Sequence, residues 1–267
     1  MIMSECLLDK RRTLLFKRAI EQVVKVGDVV LELGTGSGIL SLFAASAGAR
    51  KVYAVEIAPD VANFASKNIT SNNYSDKIEV VNSNALSLGI SEKIDVVIME
   101  MMDTGLVSEQ QGPVLNQLKK KNIITKDTKI IPSRYRCAID LVNYNFDFYG
   151  FKLPFIIQAR NYSANRRVVD KLSKLTSYLD LSFNQDFELS VKERFAVIAS
   201  KTGSVNSARL QSWISLAQGI STWGTSDMNM PVIIPLPKFD VVKGDKLEFD
   251  VSYQMGEGFK DFRLERH

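Results

Sequence analysis

The chain is 267 residues long, 45% apolar and 24% charged, the balance of an ordinary globular protein with room for one broad domain or two modest ones. The formal charge of +4 is mildly basic, and two distant cysteines (Cys6, Cys137) with a single histidine (His267) exclude a disulfide framework, a zinc site and histidine acid–base catalysis. No apolar run reaches the roughly 18 residues of a membrane span, and Asp9, Lys10, Arg11 and Arg12 stand where a signal peptide carries its apolar core, so a cytoplasmic location is expected, with no membrane and no metal.

In chain order, residues 4–25 place Leu7, Leu8, Leu15, Ala19, Ile20, Val23 and Val24 at helical spacing and predict one amphipathic helix. Gly27-Asp28 ends it, and Val29-Val30-Leu31 begins a strand that runs into a glycine turn. A helix over 39–47, a strand over 51–56 and a helix opening at Pro59 follow. Strands at 78–81 and 94–99 and a helix over 108–121 continue the alternation as far as Pro132. Beyond it the pattern becomes strands at 135–142, 187–200, 210–216, 231–236 and 247–253. Between the first two, Val168, Val169, Leu172, Leu175 and Leu179 suggest a helical arm over 151–180. The expected fold class is α/β: a Rossmann-like parallel sheet over 1–132, then a mostly antiparallel, barrel-like domain over 133–267 that carries the arm.

Two stretches could carry chemistry. The first is Glu32-Leu33-Gly34-Thr35-Gly36-Ser37-Gly38, between a strand and a helix, with Glu56 ending the next strand. Glycines let backbone approach a ligand closely, and an acid at the next strand end can accept from a ribose diol. Dinucleotide enzymes favour G-x-G-x-x-G; the G-x-G-x-G form with an acid ahead of it suits a cofactor without a pyrophosphate, S-adenosylmethionine. The second is the loop Glu100-Met101-Met102-Asp103-Thr104-Gly105-Leu106-Val107-Ser108-Glu109, at the carboxyl end of a parallel strand where open α/β sheets place ligands. Two carboxylates there could converge on a guanidinium, whose planar fork offers several donors. The plain alternative leaves Glu109 at a helix N-terminus and Glu100 in solvent.

These stretches resemble the protein arginine methyltransferases, through Leu31 to Ala45, Gly48 to Val52, Glu56, the loop with Glu100, Met102, Gly105 and Glu109, Tyr149-Gly150-Phe151 and Lys243-Gly244-Asp245. The resemblance covers roughly residues 8–247 and implies a class I methyltransferase that uses S-adenosylmethionine, acts on an arginine-like acceptor and pairs as a homodimer through the arm. It implies Glu100 and Glu109 as catalytic residues. Arg12, Glu32, Gly34, Thr35, Gly36, Gly38, Glu56, Asn84, Ala85 and Glu100 become the cofactor-binding set, with Arg12 on the cofactor carboxylate and Asn84-Ala85 at the adenine edge. Met102, Asp103 and Trp223 are the substrate-pocket candidates, although a methionine or tryptophan in such a place often serves the core. The departures are the absence of a tyrosine-rich helix ahead of the cofactor motif, Ser221-Thr222-Trp223 in place of Thr-His-Trp, and Asp103-Thr104 in place of glycine and tyrosine. They leave two competing readings: methylation of a small molecule or an RNA, the nucleic acid being without positive support, and a silent cofactor-binding dimeric scaffold.

Overall fold

The computed structural model of the chain describes residues 3–158 and 169–267. Five parallel strands, β1 (Val29–Leu33), β2 (Lys51–Glu56), β3 (Ile78–Asn82), β4 (Val96–Met99) and β5 (Lys129–Ile131), form one sheet in the order β3-β2-β1-β4-β5. In register, Val30 pairs with Val52 on one side and Val96 on the other. The chain leaves β1 toward β2 and returns to its other side with β4, so the strand order reverses between β1 and β4. That reversal opens a crevice at the carboxyl ends of the strands. Every residue of β1 is buried, as expected of a central strand covered on both faces.

Helices α3 (Ile39–Ser46), α4 (Pro59–Ser71) and α5 (Gln111–Lys120) belong to this half. The single N-terminal helix expected from the sequence is two, α1 (Met3–Leu8) and α2 (Lys10–Val23). Asp9 divides them: its Oδ1 accepts from the Arg12 N–H at 2.9 Å and caps α2, which turns Phe16, Ala19 and Ile20 into the core.

After Pro132, β6 (Arg134–Asn143) starts the antiparallel, barrel-like part. It pairs with Gly203–Ala217, which pairs in turn with Val232–Val241. A three-stranded antiparallel sheet of Ser190–Ile198, Lys246–Gln254 and Arg263–Arg266 completes it. One contiguous apolar core unites the two parts, containing Leu33 and Met99 from the parallel strands and Leu210, Ile214 and Phe249 from the antiparallel ones.

The expected helical arm is corrected where it is described. Residues 151–152, 157–158, 170–171 and 176–182 are strands, and 159–168 of that stretch lie outside the described residues. Thr176–Ser182 pairs with β6 through a register shift between Ser177 and Leu179. A bulge adds one residue on one side of the ladder. The buried Tyr178 and Leu181 therefore stand three apart in the strand. No helix among the described residues is long and apolar enough to cross a membrane.

Candidate active site

The crevice between β1 and β4 holds a cavity of about 660 Å³. The turn after β1 supplies Gly34, Thr35 and Gly36, the end of β2 supplies Glu56, and the loop after β4 supplies Glu100, Met101, Met102 and Glu109. Helices α1 and α2 close one side with Cys6 and Arg12, and the antiparallel part adds Asp227 and Met230.

The turn is built from its own neighbourhood. Glu32 is fully enclosed, and its Oε2 accepts from the Thr35 hydroxyl at 2.7 Å and from the Ser41 hydroxyl. Burial pushes its carboxyl up to about 7, against the pull of those two hydroxyls. Expected on the cofactor, Glu32 thus anchors the turn with an oxygen directed at protein hydroxyls. Gly34 sits at φ 74°, and a Cβ on it would lie 3.1 Å from Met101 Cγ, so the two loops nearly touch across the cavity floor. Gly38 starts α3 at the back of the turn and does not line the cavity. Glu56 accepts one backbone N–H on each oxygen, Gly36 and Ala58, both at 3.1 Å. A carboxylate has about four lone-pair positions, so two remain for a diol.

Arg12 points at Glu100. Its Nε reaches Glu100 Oε2 at 2.9 Å, its Nη2 contacts the same oxygen, and Nη1 donates to the Cys6 carbonyl at 3.2 Å. Burial raises the proton affinity of Glu100 while Arg12 opposes that rise. The doubly bonded guanidinium keeps the pair ionic. Both Arg12 contacts fall on Oε2, which leaves Oε1 of Glu100 for a further donor. Of the five guanidinium hydrogens, about two stay available for an anionic group.

Glu109 stands at the open rim of the same cavity. The protein around its carboxyl, then repulsion from Glu100 and Asp103, moves it up to about 7. Solvent at the rim screens part of that repulsion. Asp103 does not line the cavity; its carboxylate accepts the Ser108 N–H at 2.9 Å and the Glu109 N–H at 3.2 Å. Trp223 is 43% exposed and also lies outside the lining. Asn84 spends its Oδ1 on the Leu86 N–H at 2.9 Å and Ala85 is buried, so this pair builds a turn after β3 away from the cavity lining. Met102 is buried and lines the cavity.

The sequence reading missed Cys6, Gln110, Asp227 and Met230 among the lining residues. Asp9, three residues ahead of Arg12, was a readable cap signal that would have separated α1 and turned it toward the site. Asp227 and Met230 are brought in from a distant loop and carry no local signal.

The donor set fits S-adenosylmethionine: a carboxylate with spare acceptor positions for a diol, a glycine turn admitting backbone contact, apolar Ile57 and Val61, and a buried cation at Arg12. A family model described as ribosomal protein L11 methyltransferase (PrmA) matches residues 12–125. An uncharacterized protein of Methanocaldococcus jannaschii is 32% identical over 258 residues, covering 97% of this chain and 93% of that protein. Protein arginine N-methyltransferase 6 of Danio rerio is 43% identical over 146 residues, 53% of this chain and 41% of that protein, so the chain spans less than half of that relative's length. Among solved structures, the Trypanosoma brucei PRMT1 enzyme-prozyme heterotetrameric complex with AdoHcy shares the fold, with a TM-score of 0.80 at 19% identity over 100% of this chain and 96% of that one. The chain belongs to the family of the archaeal protein, and it is an S-adenosylmethionine-dependent methyltransferase with sequence similarity to protein arginine N-methyltransferases.

Proposed function

We propose that this methyltransferase transfers its methyl group to a nitrogen of a guanidinium, in the manner the name of the Danio rerio relative describes. The observation that carries the reading is the charge of the cavity. Among the described residues, carboxyl groups outnumber cations in its lining: Glu5, Glu56, Glu100, Glu109 and Asp227, with Glu32 enclosed beneath the turn, stand against Arg12, which is itself paired with Glu100, although the chain as a whole is basic. A cationic acceptor is favoured there, and a phosphate-bearing one is repelled.

S-adenosylmethionine, when bound, supplies a sulfonium methyl. Glu56 would hold the ribose diol, the 34–36 backbone would offer it contact, and the remaining Arg12 hydrogens would meet its carboxylate. Glu100, through Oε1, and Glu109 accept the guanidinium N–H groups and aim one nitrogen at the methyl, so that alignment supplies most of the acceleration. The methylated nitrogen is more acidic than before and gives up one proton; Glu109, with its raised proton affinity, is placed to take it. Met101 and Met102 exclude water from that point.

The same reading makes residues 1–132 the donor-binding unit and 133–267 the unit that supplies acceptor and dimer surfaces, in a cytoplasmic enzyme. The exposed apolar run Tyr149, Phe151, Leu153 and Phe155 supports a homodimer, because a patch of this kind is rarely left to water. A dimeric mass in solution at micromolar concentration is expected, and a monomeric mass refutes that part.

The deciding experiment incubates the protein with methyl-labelled S-adenosylmethionine and fractionated lysate, then locates the label by mass spectrometry. Label on arginine side chains is the expected outcome. Label confined to RNA or a small metabolite refutes the guanidinium reading, and no turnover at all favours the scaffold.

A further inference from the structure

Asp103 folds its side chain along its own loop. Oδ1 and Oδ2 receive the Ser108 N–H at 3.1 and 2.9 Å, and Oδ1 also receives the Glu109 N–H at 3.2 Å. Between these ends the chain passes through two consecutive left-handed residues, Gly105 at φ 85° and Leu106 at φ 57°. A leucine in that region is strained and persists only where its surroundings impose it. They do so from outside the loop: the Tyr135 hydroxyl donates to the Asp103 carbonyl at 2.7 Å and the Tyr253 hydroxyl to the Gly105 carbonyl at 2.7 Å. Asp103 is thus fixed at its backbone by the antiparallel part, and its carboxylate carries that fix across the turn to residues 108 and 109.

We propose that Asp103 is a positioning residue for the methyl acceptor: its carboxylate closes the 103–109 loop and thereby sets where the Glu109 side chain enters the cavity. This rests on the reading of Glu109 as an acceptor ligand. Asp103 touches neither donor nor acceptor and acts through Glu109 alone. A carboxylate suits the task because it can accept all three N–H contacts, whereas an asparagine offers one oxygen and a competing donor.

The charge of Asp103 has a second effect. The titratable groups that share the cavity with Glu109 or bear on its charge are Glu100 and Asp103 of its own loop, Glu5 and Cys6 of α1, Arg12 of α2, Glu32 of β1, Glu56 of β2 and Asp227 of the antiparallel part. Asp103 is one of the two carboxylates that raise the proton affinity of Glu109. Removing its charge while keeping an acceptor oxygen shifts the titration of Glu109 toward lower pH. Removing the side chain altogether also frees the loop.

The test uses the full chain with Asp103→Asn and Asp103→Ala. Donor affinity is measured directly, steady-state constants use an arginine peptide, and the Glu109 carboxyl is titrated by carbon NMR on glutamate-labelled protein, with Glu109→Gln assigning the resonance. Asp103→Ala is expected to raise KM for the peptide about tenfold, the loss of one charge-assisted contact, with donor affinity unchanged. Asp103→Asn is expected to move the Glu109 titration, and the acid limb of kcat/KM with it, to lower pH at a smaller rise in KM. A Glu109 titration unmoved in both variants overturns the proposal, as does an equal loss of donor and acceptor binding in Asp103→Ala. Should Asp103→Ala fail to fold, the NMR titration of Asp103→Asn decides. The NMR arm needs no substrate, so an enzyme that ignores arginine peptides refutes the guanidinium reading while the action of Asp103 on Glu109 is still measured.

Discussion

The turn after β1 and the loop after β4 face each other across one cavity but are held by different means. The turn is closed by close neighbours: Thr35 and Ser41 on Glu32, the Gly34 and Thr35 N–H groups on the Val55 carbonyl, Gly36 on Glu56, and Asn68 on the Ser37 carbonyl. The loop is held from far away. The Thr104 hydroxyl donates to the Met230 carbonyl at 2.6 Å, the Gly105 N–H to Ser212 at 3.0 Å, Asn229 to the Met102 carbonyl at 3.3 Å, and Gly258 to the Val107 carbonyl at 2.9 Å. The conformation of the turn is therefore set within the parallel half, while that of the loop, and through Glu100 and Asp9 the seat of Arg12, also depends on the antiparallel part.

The sharpest way to break that division is to alter one carboxylate on each side. Glu100→Gln keeps the shape of the loop and removes a charge from the acceptor grip, so kcat with an arginine peptide should fall about 10²-fold or more while donor affinity stays near normal. Glu56→Gln should reverse the pattern, weakening donor affinity about tenfold with a smaller effect on transfer at saturation. Calorimetric donor binding beside single-turnover rates separates the two. Equal loss of both quantities in Glu100→Gln assigns that residue to the frame and erases the proposed division.

A smaller effect, on stability, probes how the loop is held. Gly105 has φ 85°, and an added Cβ would stand 2.9 Å from Leu210 Cδ2 and 3.1 Å from Val107 Cγ2. Gly105→Ala should cost about 1–3 kcal/mol, or roughly 2–4 °C in Tm per kcal/mol for a chain of this size. Gly34→Ala also forces a positive φ, but its neighbour is the flexible Met101 side chain, which can withdraw. Its penalty should fall more on donor binding than on Tm. A Gly105→Ala protein with unchanged Tm shows that the loop is free to move off Leu210, contrary to its many anchors.

The same contrast explains what could be read from the sequence. The turn, the strand ending in Glu56 and the strand–helix alternation of the parallel half were legible because their determinants lie within a few residues or one βαβ unit of each other. Glu32 was legible as part of the motif but not in its role, since only folding brings Ser41 under its carboxylate. Asp103 stood out as a departure from the family pattern, yet its function as a clasp depends on Tyr135, which meets it across 32 positions of chain. Arg12 was placed at the site by resemblance, while its partner Glu100 lies 88 positions away. The arm misled because Val168, Val169, Leu172, Leu175 and Leu179 fall at helical spacing while the described part of the stretch pairs as strands with β6. Long-range hydrogen bonds and bulges leave no periodic trace, which is why the acceptor side was the harder half to read.

The smallest expected effect tests whether the turn is as self-contained as its contacts suggest. Glu32 titrates at about 7 in the folded chain and near the ordinary 4.5 once unfolded. Between those values the unfolded chain has released a proton that the folded chain still holds. Stability contributed by this group is therefore greatest below about 4.5, falls as pH rises toward 7 and is level above it. Glu32→Gln keeps an oxygen for the Thr35 and Ser41 hydroxyls and removes the titration. Unfolding by urea at several pH values should then give a shallower decline than the parent chain, by at most about one proton, or 1.36 kcal/mol per pH unit. Glu109 is raised in the same direction and leaves a residual slope in both proteins. Because the partners of Glu32 are all local, the difference between the two curves should survive Gly105→Ala, which disturbs only the other side of the cavity. Curves that become parallel in that background show that the turn borrows its environment from the loop after all.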